Sequence, residues 1–342
     1  MTPRFPVDAL LTWFRANARV LPWREHRTPY RVWLSEIMLQ QTRAEAVVPY
    51  FERFLAALPD IRALAEADEE PLLKLWEGLG YYSRVRNLRK AARLIATRHN
   101  GEFPSGFADI RALPGIGDYT AGAIASIAFG QPVPAVDGNV LRVLSRFQES
   151  RLDVAKQKTR RMFTEQLRRI YPKGHCGDFT ESLMELGATV CLPNGEPLCN
   201  ICPLASACLA HRNGSWRELP VKAEKKPRRI EKRTVLLIHH DGRIALRRRP
   251  RRGLLAGMME FPNLEGWLSK EAVLELEKCG ASVTGIRAGI EAKHIFSHVE
   301  WLMHGFSIIC SVAPEGFEWV SPAELHERIS LPSAFSAFSG RL

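Results

Sequence analysis

The segment between residues 113 and 139 constrains the fold of this 342-residue chain more than any other. It opens with a Leu-Pro-Gly-Ile-Gly turn at 113–117, followed by an Ala-rich apolar stretch of helical length at 118–130. With a short helix before the turn, the segment predicts a helix-hairpin-helix. Glycines let the backbone turn sharply, and the free N–H groups that begin a helix attract anions. In a basic protein the expected anion is a DNA phosphate.

Charge is unevenly distributed along the chain and supports this prediction. The net charge is +11; residues 151–252 carry 23 basic and 10 acidic side chains, whereas residues 253–342 carry 6 and 11. Basic runs lie at 225–229 and 247–252. Such runs are usually solvated faces, but next to a hairpin motif they favour electrostatic attraction of DNA.

Composition restricts the class of protein and its compartment. The length suits two domains, and a hydrophobic content of 46% is sufficient for a buried core. The sequence has no apolar run near the ~20 residues that span a bilayer and no secretory leader. We therefore expect a cytoplasmic protein without membrane association, whose cysteines are reduced unless they bind metal.

Hydrophobic periodicity predicts two domains of different class. Residues 1–210 are expected to be almost entirely helical, with helices at 71–76, 84–97, 139–146, 156–170 and 180–189. The polar, basic segment 211–233 suits an exposed linker. Residues 234–342 predict an α+β domain, with strands at 234–239, 244–246, 283–286, 301–309 and 317–320 and a helix at 270–278.

Four cysteines lie close together in the spacing C-x7-C-x2-C-x5-C: Cys191, Cys199, Cys202 and Cys208. Four neighbouring thiolates can hold tetrahedral zinc or an iron–sulfur cluster, and a disulfide is disfavoured in a reducing compartment. Spacing alone favours zinc modestly. Cys176, Cys279 and Cys310 are interpreted as small apolar residues.

The hairpin, its Gly/Pro-rich loop and the Asp137 that follows resemble the helix-hairpin-helix DNA glycosylase superfamily, which includes endonuclease III. Lyase-type members carry a lysine two positions after the second glycine, and here that position is Tyr119. A phenol cannot form a Schiff base with the sugar. Tyrosine or serine there is typical of MutY-type adenine glycosylases.

Two carboxylates match the roles that this resemblance implies. Glu36, in Leu-Ser-Glu-Ile-Met-Leu-Gln-Gln-Thr, resembles the general acid that protonates adenine, and an apolar neighbourhood would raise its pKa. Asp137 precedes a predicted helix, whose N-terminus favours an ionised carboxylate. It would stabilise the positive charge that grows on the sugar, while Tyr119 and Asn139 form hydrogen bonds in the same pocket.

The resemblance also assigns contacts with adenine and DNA. Trp23 and Arg24 match the N-terminal pocket segment, and Glu181 falls where the family contacts adenine. Because the reacting bond is inaccessible in a stacked duplex, the base must be flipped out. Segment 78–84 resembles the wedge loop, with Tyr81 as the intercalating residue. Further DNA contacts are implied for Leu39, Gln41, Thr42, Leu79, Gly115 and Gly117.

The two remaining segments complete the predicted architecture. The cysteine cluster resembles the [4Fe–4S] loop of the superfamily, although the usual first gap is six residues and here it is seven. Segment 253–262 resembles the opening of the family's Nudix-like domain, in which Phe296, Ser297 and His298 match the loop that recognises 8-oxoguanine. The expected fold is thus an all-α helix-hairpin-helix glycosylase domain with an iron–sulfur loop, followed by an α+β Nudix-like domain.

The predicted function is monofunctional removal of adenine opposite 8-oxoguanine or guanine in double-stranded DNA, by a monomer. Two alternatives remain open: a catalytically silent DNA-binding protein, and a glycosylase of the same fold with another target base. A Nudix-type hydrolase is disfavoured because the sequence lacks the Arg-Glu-x-x-Glu-Glu metal box.

Overall fold

Helices dominate the chain from residue 7 to residue 212 in the computed structural model, which describes residues 3–223, 227–276 and 283–340. Those of this part are α1 (Val7–Asn17), α2 (Pro22–Glu25), α3 (Pro29–Met38), α4 (Ala44–Ala57), α5 (Ile61–Glu66), α6 (Glu69–Leu75), α7 (Ser83–Arg98), α8 (Phe107–Ala112), α9 (Asp118–Ile127), α10 (Gly138–Phe147), α11 (Gln157–Arg168), α12 (Cys176–Thr189) and α13 (Leu209–Arg212). Among the described residues, no helix is long and apolar enough to cross a membrane.

The predicted hairpin is formed by α8 and α9. Gly115 adopts a φ of +80° in the turn between them, a conformation that favours glycine. A Cβ on Gly122 of α9 would lie only 2.3 Å from the carbonyl oxygen of Pro134. The absence of a side chain therefore lets the segment leading to Asp137 pack directly against α9.

The helical core is built on α10, α11 and α12. Their fully buried aromatic residues include Phe147, Phe163 and Phe179. The start of α10 is defined by Asp137, whose side chain caps the helix by accepting a hydrogen bond from the Val140 N–H at 2.7 Å.

Beyond residue 228 the chain forms a mixed sheet, as the predicted α+β pattern requires. Its strands are β1 (Arg229–His240), β2 (Arg243–Arg248), β3 (Met259–Glu260), β4 (Asn263–Glu265), β5 (Val283–Ile295), β6 (Val299–Cys310) and β7 (Glu318–Val320). The order is β3-β2-β1-β6-β5, with β4 on β1 and β7 on β2; β1 and β6 are parallel, and the other pairs are antiparallel.

Each face of this sheet is covered by apolar residues. One face packs Trp301 against Phe335 and Phe338, near α15 (Pro322–Glu327) and α16 (Ser336–Ser339). The other face packs Phe306 against Val273 of α14 (Lys270–Leu276). Four of the five predicted strands run longer than predicted, most of all β5, which continues nine residues beyond the expected end at 286. The strand β7 is one residue shorter than predicted, and β3 and β4 were not predicted. The predicted end of the helix at Lys278, and Cys279, lie outside the described residues.

The division of the chain into units differs from the linear division predicted at residue 210. One unit comprises Met1–Glu66 with Arg86–Glu224, and the other comprises Ala67–Val85 with Lys225–Leu342. Within the second unit, the Leu331 N–H donates to Glu77 at 2.8 Å and the Lys74 ammonium donates to the Ile329 carbonyl at 3.2 Å. These contacts join residues some 254 positions apart in sequence, which local patterns do not indicate.

Much of the predicted linker 211–233 is ordered structure. It contains the end of α13, a 3-10 helix at Ser215–Glu218 and the first residues of β1. The Arg146 guanidinium donates to the Leu219 carbonyl at 3.0 Å, and Leu219 itself is buried. Most of the described residues of the segment are exposed, as its polar composition predicts, but Ser215 and Leu219 are buried and the buried Arg146 binds this part of the helical unit.

Candidate active site

Glu36 is a buried carboxyl group on α3, only 5% exposed. Burial, together with the negative charges of Asp137 and Glu181, raises the pKa of Glu36 to about 7, although a hydrogen bond from Tyr119 and the charge of Arg24 oppose the shift. A carboxyl group with this pKa carries a proton in a large fraction of molecules near neutral pH. It can therefore act as a general acid.

Tyr119 lies in the first turn of α9 and is the direct partner of this acid. Its hydroxyl donates a hydrogen bond to Glu36 Oε2 at 2.6 Å. Burial and the neighbouring charge of Glu36 raise the pKa of Tyr119 well above its usual value, so the phenol stays neutral. The hydroxyl favours the ionised form of Glu36 because a carboxylate is the stronger acceptor.

Asp137 lies at the N-terminus of α10, at the end of the segment that packs against α9. Its carboxylate accepts hydrogen bonds from the Val140 N–H at 2.7 Å and from Asn139 Nδ2 at 2.9 Å. Burial raises the pKa of Asp137, whereas these hydrogen bonds oppose the rise by stabilising the charged form. The helix N-terminus thus contributes as expected, but desolvation outweighs it.

These groups line one cavity of about 560 Å³ within the helical unit. The residues from the sequence prediction that line it are Trp23, Arg24, Glu36, Leu39, Gln41, Thr42, Tyr119, Asp137, Asn139 and Glu181. Gly115 and Gly117 lie in the hairpin turn and are not among its lining residues. No lysine occurs among the described residues that line the cavity.

Arginine–carboxylate pairs form one wall of the cavity. Glu181 and Glu185 lie one turn apart on α12, and Arg24 bridges them with hydrogen bonds to Glu181 Oε1 at 3.2 Å and Glu185 Oε2 at 2.9 Å. Arg19 binds Glu185 from the other side. Sequence analysis missed Glu185 and Arg19; the i, i+4 spacing of two glutamates was the available signal, but it does not reveal their partners.

Arg142, also missed, connects Asn139 to the cysteine segment. Its guanidinium donates to Asn139 Oδ1 at 2.8 Å, to the Gly187 carbonyl at 2.6 Å and to the Cys191 carbonyl at 2.7 Å. A Cβ on Gly187 would lie 2.5 Å from the Asn139 Cβ. Asn139 is therefore held between Arg142 and the backbone of α12, with its amide directed at Asp137.

The four clustered cysteines lie partly buried beside α10 and are close enough to interact electrostatically. Burial and the neighbouring thiols raise the pKa of Cys202 to about 12, and burial also raises those of Cys199 and Cys208. The Arg146 guanidinium donates to Cys191 Sγ at 3.3 Å. Within the described ranges, no group of three His, Cys, Asp or Glu residues is arranged to hold a metal ion.

The predicted wedge and recognition residues meet in the second unit. The Tyr81 hydroxyl lies 2.7 Å from Ser297 Oγ, and Tyr81 is 46% exposed with a φ of +47°. Phe296 packs edge-on against Trp301 with 5.0 Å between ring centroids. His298 is exposed at the same turn, whereas Leu79 is buried, 6% exposed.

Comparison with known proteins identifies both parts of the chain. Residues 34–172 match the model of the HhH-GPD superfamily of base excision DNA repair proteins, and residues 233–339 match that of the NUDIX domain. The chain is 34% identical over 271 residues to the adenine DNA glycosylase of Buchnera aphidicola subsp. Schizaphis graminum (strain Sg), covering 77% of this chain and 78% of that protein. It is 33% identical to the adenine DNA glycosylase of Homo sapiens over an alignment of 386 residues, covering 93% of this chain and 70% of that protein.

A solved structure shares the helical fold. A thermostable thymine-DNA glycosylase superposes with a TM-score of 0.55 and 28% identity, covering 60% of this chain and 95% of that one. The glycosylase relatives align with most of the chain at identities above 30%. The protein therefore belongs to the adenine DNA glycosylase family of base excision repair enzymes.

Proposed function

We propose that this protein hydrolyses the N-glycosidic bond of adenine placed opposite 8-oxoguanine or guanine in duplex DNA, without cleaving the strand. The observation that carries the proposal is the shared cavity of Glu36, Tyr119 and Asp137, in which Glu36 has a pKa of about 7. Two carboxyl groups with different hydrogen-bond environments can serve the leaving base and the sugar separately.

The chemistry assigns one carboxyl group to each side of the scissile bond. Glu36 donates its proton to the departing adenine, which leaves as a neutral base. The carboxylate of Asp137 stabilises the positive charge that develops on the sugar. Asn139 orients that carboxylate through its hydrogen bond at 2.9 Å, and Arg142 in turn fixes Asn139. Water then adds to the cationic sugar carbon and releases one proton, which restores the acid form of Glu36.

Tyr119 supports a reaction that ends at the abasic site. Strand cleavage through a Schiff base needs an amine beside the sugar. Tyr119 offers a neutral phenol bound to Glu36, and the described lining of the cavity supplies no lysine. We therefore expect adenine release without lyase activity.

Recognition of the opposite base is assigned to the second unit. Tyr81 is exposed and hydrogen-bonded to Ser297, which suits insertion into the stack beside the opposite base. Phe296 and His298 are the sequence neighbours of Ser297. Gln41, Thr42, Leu39 and the buried Leu79 would shape the DNA path, and Trp23, Arg24 and Glu181 would hold the flipped adenine. The hairpin turn at Gly115 and Gly117 would bind the backbone phosphate.

The four cysteines fit a structural [4Fe–4S] cluster. They supply four thiols that already interact with one another and lie beside the cation of Arg146, which would offset part of the negative charge of a thiolate-bound cluster. A [4Fe–4S] cluster is held by four cysteine thiolates, which these residues would supply. Cys191, Cys199, Cys202 and Cys208 would hold it and thereby stabilise the segment after α12.

The substrate defines the remaining assignments. The partner is double-stranded DNA containing an A:8-oxoguanine or A:G mispair, and the place of action is the chromosome. We expect the protein to act as a monomer.

The experiment that tests the proposal is single-turnover excision on duplexes with adenine opposite 8-oxoguanine, guanine or thymine, quenched with and without hot alkali. We expect strand breaks only after alkali, in the two mispaired duplexes, and their loss in Glu36→Gln. Breaks without alkali would contradict the monofunctional assignment. Intact adenine in every duplex would favour a silent DNA-binding protein or another target base.

A further inference from the structure

Glu185 is the most extensively paired carboxylate in the cavity wall. Its side chain is 1% exposed. Oε1 accepts from the Arg19 backbone N–H at 3.1 Å and Arg19 Nε at 2.8 Å, while Oε2 accepts from Arg19 Nη2 at 3.0 Å and Arg24 Nη2 at 2.9 Å. Burial opposes ionisation, but these hydrogen bonds lower the pKa of Glu185 to about 2. The group is therefore an anion throughout the neutral range.

Arg24 connects this anion to the proposed general acid. Its guanidinium is shared between Glu185 and Glu181, and its charge favours the ionised form of Glu36. The charged and titratable groups facing Glu36 come from four elements: Arg24 on α2, Tyr119 on α9, Asp137 at the start of α10 and Glu181 on α12. An Arg24 without its counter-charge would draw the proton away from Glu36 more strongly.

We infer that Glu185 is a positioning residue for base excision: it holds Arg19 and Arg24 in the cavity wall and offsets the charge of Arg24, so that Glu36 keeps its proton. The inference rests on the proposed role of Glu36 and adds a residue whose two carboxylate oxygens are bound by Arg19 and Arg24. Four hydrogen bonds to this one side chain hold Arg19 and Arg24 in the cavity wall.

Two variants, one that removes an anion and one that removes a cation, test this role through the pH profile of single-turnover excision. Glu185→Gln keeps the shape of the side chain and removes its negative charge. The alkaline limb of the profile, where the excision rate falls as the pH rises, should therefore move to lower pH by about one unit, the size of a nearby-charge effect. Arg19→Gln removes a cation and leaves more of the Glu185 charge uncompensated, so the limb should move to higher pH. A loss of packing would not shift the limb in opposite directions.

Glu45→Gln is the matched control. Glu45 pairs with the same Arg19 at 2.7 Å, but its side chain is 71% exposed and water screens its charge. The alkaline limb of this variant should coincide with that of the wild type. Glu185→Asp, which keeps the charge, should also leave the limb in place, and circular dichroism at each assay pH shows whether the variants are folded.

The outcomes separate this inference from the proposed function. Opposite shifts in Glu185→Gln and Arg19→Gln support the positioning role. Unmoved limbs, or shifts in the same direction, overturn it. If Glu185→Gln does not fold, the direction of the Arg19→Gln shift decides. If Glu36→Gln excises adenine at the wild-type rate, the proposed role of Glu36 fails, whatever the Glu185 variants do.

Discussion

Replacing Tyr119 with phenylalanine should change the pH at which the enzyme loses activity. The Tyr119 hydroxyl donates to Glu36 at 2.6 Å and so stabilises the carboxylate over the acid. A hydrogen bond to a charged group contributes about 1.5–3 kcal/mol, which corresponds to about 1–2 pKa units. Because Glu36 starts from a pKa of about 7, the variant should have a value about 1–2 units higher.

The direction of the effect follows from which form of Glu36 is active. As a general acid, Glu36 works when protonated, so activity is lost as the pH rises through its pKa. At pH 8 about one tenth of the wild-type carboxyl groups are protonated, against about half or more in Tyr119→Phe. Relative to its own plateau at lower pH, the variant should therefore retain about five- to tenfold more activity at pH 8 than the wild type does.

The assay is single-turnover excision of adenine opposite 8-oxoguanine, measured from neutral to alkaline pH. Tyr171→Phe is the matched control, since it removes a buried hydroxyl that bonds Thr180 Oγ1 at 2.9 Å instead of Glu36. Its limb should not move. A Tyr119→Phe limb that stays in place, or moves to lower pH, would refute the assignment of Glu36 as the proton donor.

Three further substitutions test other parts of the site. Asp137→Asn should lower the excision rate about 100-fold or more. Its melting temperature should stay nearly unchanged, because asparagine caps a helix as well as aspartate does. An active variant with a lowered melting temperature would contradict this. Gly187→Ala should lower the free energy of unfolding in urea by about 1–3 kcal/mol and also slow excision, since its Cβ would lie 2.5 Å from that of Asn139. Wild-type stability and a wild-type excision rate would argue against the close packing. Cys199→Ser should reduce the iron bound per chain and the visible absorbance, and full iron content would remove Cys199 from the ligand set.

Most of the helical unit could be predicted because its signals are local. The glycines of the hairpin turn, the Asp137 cap and the apolar periodicity each act within a few residues, so the sequence indicates α9 and α10 directly. In the second unit, β1, β2, β5 and β6 were placed correctly but predicted too short, and β3 and β4 were not predicted. The ends of β5 depend on how far it pairs with β6, and the residues of β5 alone do not indicate the extent of that pairing.

The candidate site was predicted one residue at a time, and its assembly was not predictable. Motif resemblance selected Glu36, Tyr119 and Asp137, whose roles remain a proposal. It gave no sign of Glu185 or Arg142, because an isolated glutamate or arginine on a helix is usually solvated. Their importance arises only when α12 brings Glu185 beside Arg19 and Arg24 and when α10 places Arg142 against Gly187.

By itself, the sequence determined the helix-hairpin-helix and the change from helices to strands. It also determined that residue 119 is a tyrosine, where lyase-type members carry a lysine. Tertiary structure alone decided that residues 67–85 belong with the C-terminal unit, that Leu219 is buried and that Glu36 has a pKa of about 7. The physical reason is the range of the interactions. Turns and caps depend on backbone geometry within a few residues, whereas burial and charge pairing depend on residues that are distant in sequence and meet only in the folded chain.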